Sequence, residues 1–178
     1  MGTIHRPAAT RPVRPRLGQV TPGVGGAADC CGERQRERDV GQRYVTSVRV
    51  RWSDLDAFGH VNNAKTITLL EEARVDWLFT EAAKHGIEKL TEGIVVAQLE
   101  IQYQRAIGFN LPVCISMGLT KLGNASFTID YIVTVAGATA ATASTVLVPV
   151  DPATFRPRRM DEKERAYLSR FLPNGPAA

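Results

Sequence analysis

Cysteine is scarce, with three in 178 residues. Cys30 and Cys31 are adjacent and Cys114 stands alone in an apolar run, so there is no CxxC pair and no Cys/His metal pattern. An odd count fits a reducing compartment better than a disulfide framework. Long hydrophobic runs are missing as well. No stretch approaches the roughly 18 apolar residues of a membrane span. Residues 1–30 lack the apolar centre of a secretory signal, and Arg6 stands where a myristoylation motif needs Ser or Thr. These absences point to the cytoplasm. There is no GxSxG elbow, no P-loop and no GxGxxG, which removes the serine-hydrolase, nucleotide-hydrolase and dinucleotide-binding motifs.

Net charge is +4, and its excess is confined to one end. Residues 1–43 hold eight Arg and four acids, leaving 14 of the 22 basic and 14 of the 18 acidic side chains for the rest. A neutral body excludes a dedicated nucleic-acid surface, which needs clustered positive charge. The head, rich in Pro, Gly and Arg and without apolar periodicity, reads as a disordered basic tail over 1–43. Residues 173–178 read as a flexible end. A hydrophobic fraction of 44% supplies one core for the 44–172 domain between them.

The pattern inside that domain is strand, long helix, four strands, short helix. Val45, Val48 and Val50 mark a β-branched run ending at Trp52. Ile67, Leu70, Ala73, Trp77 and Leu78 recur at helical spacing over 64–85, and Gly86 supplies the stop. Leu99, Ile101 and Tyr103 alternate with polar residues over 94–105. So do Val113, Ile115, Met117 and Leu119, then Phe127, Ile129, Tyr131, Val133 and Val135. A fourth run covers 138–150. The turns at Gly123-Asn124 and Gly137 predict antiparallel hairpins. An amphipathic helix over 161–172 closes the chain. The class is α+β: one antiparallel sheet of five strands burying the stripe of one long helix.

Between the first strand and the helix lies SDLDAFGHVNN (53–63), with Asp54, Asp56, His60, Asn62 and Asn63 in eleven residues. Asp, Gly and Asn are ordinary loop residues, and Asn62 or Asn63 also suits a helix cap. The same residues have a chemical reading. A helix N-terminus offers free N–H groups and partial positive charge. A thioester carbonyl placed there would be polarised as in an oxyanion hole. A carboxylate just before it could attack that carbonyl or deprotonate a water.

The segment DLDAFGHVNNAKTITLLEEAR (54–74) resembles the signature of the hotdog acyl-coenzyme A thioesterases. It is most similar to the 4-hydroxybenzoyl-coenzyme A thioesterase-like branch. The similarity extends over 44–172 and includes TVLVPVDPATFRPRRM (145–160). It implies a hotdog fold, hydrolysis of an acyl-coenzyme A thioester without metal or redox cofactor, and a homodimer or homotetramer with the thioester at the subunit seam. It places the nucleophile or general base on Asp56 and the carbonyl-polarising N–H on Asn63. It puts His60 beside the thioester, or in the alternative as a residue that only shapes the loop. Asp54 is expected to be structural, and Glu72 on the helix is the reserve acid. Some relatives hold the coenzyme A phosphates with basic residues before the third β-run. Here that turn is TKLGNASF with only Lys121, so Arg105, Arg156, Arg158 and Arg159 are the other candidates. Two other readings remain open: a non-catalytic acyl-coenzyme A-binding module, and a hotdog enoyl-coenzyme A hydratase.

Overall fold

The computed structural model describes residues 42–175. The expected basic head, up to residue 41, lies outside them. Strand β1 (Tyr44–Val48) leads through a 3-10 turn (Trp52–Asp54) to α1 (Asn63–Val75). This helix continues through a π-helical turn (Asp76–Glu81) into α2 (Ala82–Lys84). A short α3 (Lys89–Glu92) precedes β2 (Ile94–Tyr103), β3 (Val113–Leu122), β4 (Phe127–Val135), β5 (Ala138–Pro149) and α4 (Glu162–Ser169). The five strands form one antiparallel sheet, as expected, and their order in it is β1-β3-β4-β5-β2. Its two edges are β1 and β2. No helix among the described residues is long and apolar enough to cross a membrane.

The long helix starts on a cap and ends on one. Asn62 Oδ1 accepts the Ala64 N–H at 2.9 Å. At the far end Gly86 takes φ +72°, its N–H reaches Ala83 O, and the Ile87 N–H reaches Ala82 O. That pair of bonds is a Schellman stop, for which glycine is the least strained residue. The helix buries Thr66, Leu69, Leu70, Ala73, Trp77, Leu78 and Ala82 in one core with Ile115, Met117, Phe127, Ile129, Tyr131 and Leu147 of the sheet. Trp77 stacks on Tyr44 at 5.8 Å and meets Phe171 edge-on at 4.6 Å. The inner stripe is centred one position from the expected one. Ile67, expected in the core, is 38% exposed, because the faces at 66, 70 and 73 already fill the space over the sheet.

Three further expectations are corrected. β3 is buried on both faces over residues 113–119, not on one. Its second face is covered where the Arg43 side chain lies across it. The Arg43 Nε donates to Ser116 Oγ at 2.8 Å, and Nη1 pairs with Asp130 at 2.8 Å. Gly118 leaves the room for this, since a Cβ there would stand 2.7 Å from Arg43 Nη1. Arg43, counted above with the head, is thereby tied to the sheet. Cys114 carries a disulfide, so the odd cysteine count does not exclude one; Cys30 and Cys31 lie outside the described residues. The apolar phase of β2 is only partly covered, with Tyr103 48% exposed, because β2 is an edge strand with a neighbour on one side alone.

Candidate active site

The 53–63 loop is a small closed structure built from its own polar groups. Asp54 is 5% exposed, and its Oδ2 accepts the Arg51 N–H at 2.7 Å. Its carbonyl accepts the Asn62 N–H at 2.8 Å, which fixes where the helix begins. These bonds satisfy the buried carboxylate of Asp54, which would be costly without donors, and tie the residue into the loop. Beyond it, Leu55 and Val61 pair, the Asp56 N–H donates to His60 O at 2.8 Å, and the Gly59 N–H donates to Asp56 O at 3.1 Å. Gly59 closes this turn at φ +78°, a conformation that strains a side-chain-bearing residue.

Asp56 stands at the base of the turn. Its Oδ1 accepts the N–H groups of Phe58 at 2.8 Å and His60 at 3.2 Å. No donor among the described residues takes Oδ2. One oxygen is thus held and the other is presented. Seven residues on, Asn63 opens the helix. The cap takes the Ala64 N–H, and no acceptor among the described residues takes the N–H of Asn63. That N–H sits at the positive end of the helix dipole.

A cavity of about 450 Å³ joins these groups. Asp56, His60, Asn63 and Arg105, four of the residues singled out from sequence, line it together with Thr66 and Tyr103. Its far wall is the segment 104–107 and the start of β5 at Ala140 and Ala141. The loop hangs from that wall: the Val61 N–H donates to Ile107 O at 2.8 Å, and His60 pairs with Gly108. The backbone of His60 therefore shapes the loop, while its exposed ring faces the cavity region.

Other expected residues lie elsewhere. Lys121 is exposed on β3 and does not line the cavity. Arg158 is committed to a structural pair: Nη1 and Nη2 donate to Glu164 at 2.9 and 2.7 Å, and Nη2 reaches Lys89 O at 2.8 Å. Glu72 pairs with Arg51 and borders a different depression, beside Thr46 and Asp76. Arg156 and Arg159 are exposed on the 151–159 loop. Sequence reasoning missed Tyr103 and Thr66. Tyr103 read as one more apolar residue in a strand, and nothing in the pattern marked its hydroxyl. That hydroxyl donates to Asn63 O at 2.9 Å. Partial burial pushes the Tyr103 phenol above its ordinary pKa, so it is a donor at neutral pH. Among the described residues no three His, Cys, Asp or Glu side chains converge as a metal site.

The chain belongs to the thioesterase-like superfamily, whose family model matches residues 50–168. By that membership it is a thioester hydrolase, and its sheet and long helix make the hotdog fold. Among curated proteins it is similar to the long-chain acyl-CoA thioesterase FadM of Escherichia coli. The two are 27% identical over 129 residues, covering 71% of this chain and 98% of that one. Among solved structures it is similar to a thioesterase of Thermus thermophilus complexed with coenzyme A and Zn. There the identity is 31%, the TM-score 0.59, and the match covers 70% of this chain and 90% of that one. The DHNA-CoA thioesterase of Staphylococcus aureus is 25% identical with a TM-score of 0.59, over 67% of this chain and 81% of that one.

Proposed function

We propose that the chain hydrolyses an acyl-coenzyme A thioester to a free acid and coenzyme A, with Asp56 as the acting carboxylate. The carboxylate either attacks the thioester carbonyl or removes a proton from an attacking water. The Asn63 N–H stabilises the charge that develops on the carbonyl oxygen. The observation that carries this reading is that a carboxylate with one free oxygen and the free first N–H of a helix line one cavity. The coenzyme A part is supported by the similarity to an acyl-CoA thioesterase and to a thioesterase crystallised with coenzyme A. Of the cations proposed for its phosphates, Arg105 is the one that lines this cavity. Incubation with a panel of acyl-coenzyme A esters should release free thiol from at least one of them. Saturable binding without thiol release would leave a binding module, and water addition to an enoyl ester would make the protein a hydratase.

The assembly we propose is a homodimer or homotetramer built on β2. That edge strand presents unpaired backbone and the side chains Val95 and Val96, 41% and 49% exposed. Proteins rarely leave such an edge open to solvent. Light scattering should give at least twice the chain mass at micromolar concentration, and a strict monomer would sink both the assembly and a seam-located site.

A further inference from the structure

Asp56 and the Asn63 N–H must keep a fixed relation to each other if they are to act on one carbonyl. The loop bonds described above hold Asp56 to its own turn, and the turn is hung from residues 107 and 108. The start of the helix is tied to the same stretch of chain at its other end. Tyr103, the last residue of β2, crosses to the helix and donates its hydroxyl to Asn63 O at 2.9 Å. Directly after it, the N–H groups of Gln104 and Arg105 both donate to Ala140 O, at 2.8 and 3.0 Å, which anchors the segment to β5. The six residues 103–108 therefore index both halves of the candidate site. On the helix side the hydrogen-bonding link is a single side chain.

We propose that Tyr103 is a positioning residue of this site, setting the first turn of α1 so that the Asn63 N–H is aimed at the thioester carbonyl. The inference rests on the reading of Asp56 and Asn63 given above. Tyr103 does not read as a core residue. It is 48% exposed, so its hydroxyl is not hydrogen-bonded merely because burial demands it. The Asn63 carbonyl also keeps its place as an intrahelical acceptor when the phenol is removed. The bond therefore adds little to global stability and acts on alignment, to which catalysis is far more sensitive. A donor needed only when the oxyanion forms affects the transition state and not the bound ester.

Tyr103→Phe is the test, read by steady-state kinetics, melting temperature and amide exchange. The variant should lose about three- to tenfold in kcat, the range a net hydrogen bond controls, with KM within about twofold of the parent. Its melting temperature should stay near the parent value. Amide exchange over residues 61–66 should quicken by a similar factor, a readout independent of turnover. Unchanged kcat overturns the proposal. So does a raised KM at constant kcat, which would make Tyr103 a substrate contact, or a loss that tracks the unfolded fraction. If no ester is turned over by the parent, the proposed function fails on its own terms. The exchange measurement then still decides whether Tyr103 holds the helix start.

Discussion

Asp56→Asn is expected to keep the fold and lose on the order of 100-fold or more in thioester turnover. Asn is nearly isosteric with Asp, and its side-chain oxygen can still accept the N–H groups of Phe58 and His60 that hold Oδ1. The turn from 56 to 59 therefore survives. What disappears is the second oxygen as a base or nucleophile. General acid–base catalysis alone is typically worth about 100- to 10,000-fold. Ester binding should change little, since the cavity wall and the helix start remain. Two companion variants make the result specific. Asp54→Asn replaces a buried charged acceptor of the Arg51 N–H by a weaker neutral one and adds a buried amide donor that needs a new acceptor, so it should lower the melting temperature more than turnover. Glu72→Gln breaks an ion pair with Arg51 outside the cavity and should leave turnover intact. A dead Glu72→Gln beside an active Asp56→Asn would move the acid to the helix and reject the assignment.

Glu164→Ala should cost roughly 3–5 kcal/mol of stability, the usual result of stripping one partner from a buried ion pair. Glu164 is 1% exposed and closes a tight set of bonds. It takes both terminal nitrogens of Arg158 and the Asp161 N–H at 2.7 Å, while Asp161 caps the Glu164 N–H at 2.9 Å. The side chain of Arg158 is 19% exposed, so its charge has little water to fall back on. At roughly 3 °C per kcal/mol for a domain of this size, the melting temperature should fall by about 10 °C or more. Arg158→Met combined with Glu164→Met should recover much of that loss, because no lone charge then remains buried. Calorimetry on the parent, Arg158→Met, Glu164→Met and the double variant checks the cycle, with Glu164→Ala measured beside them. Should Arg158→Met leave stability untouched and raise KM for the ester, Arg158 would be a phosphate contact after all.

Much of this molecule was legible before any coordinates. Alternation located three of the five strands and apolar, β-branched runs the first and last, and the Gly86 stop and the 53–63 turn bounded the long helix, because those patterns reflect local geometry. Asp54, Asp56 and Asn63 were also accessible, since a carboxylate loop running into a helix start is a local arrangement. The rest depended on contacts distant in sequence. Nothing near Arg43 announces that it will lie across Ser116, Gly118 and Asp130, so the second buried face of β3 stayed hidden. Arg158 looked like a free surface cation because its partner pair is defined only once α4 docks and brings Lys89 close. Ile67 was misplaced because a helical stripe read from sequence is uncertain by one position, while the sheet beneath selects one setting. Tyr103 was assigned by its ring and acts through its hydroxyl.

The π-helical turn over Asp76–Glu81 has a consequence for how this helix tolerates a change of length. The Ala82 N–H bonds to Trp77 O, five residues back, so Trp77 and Ala82 both face the core where a regular helix would space them by four. The chain stores one surplus residue there. Removing Phe79 or Thr80, both exposed, would let the turn relax to ordinary winding with Ala82 still facing inward. The same deletion between Thr66 and Ala73, where there is no slack, would rotate every later side chain by about 100°. The slack thus lies beyond the last turn of α1, so the turn that begins at Asn63 should keep its aim when a residue is removed there.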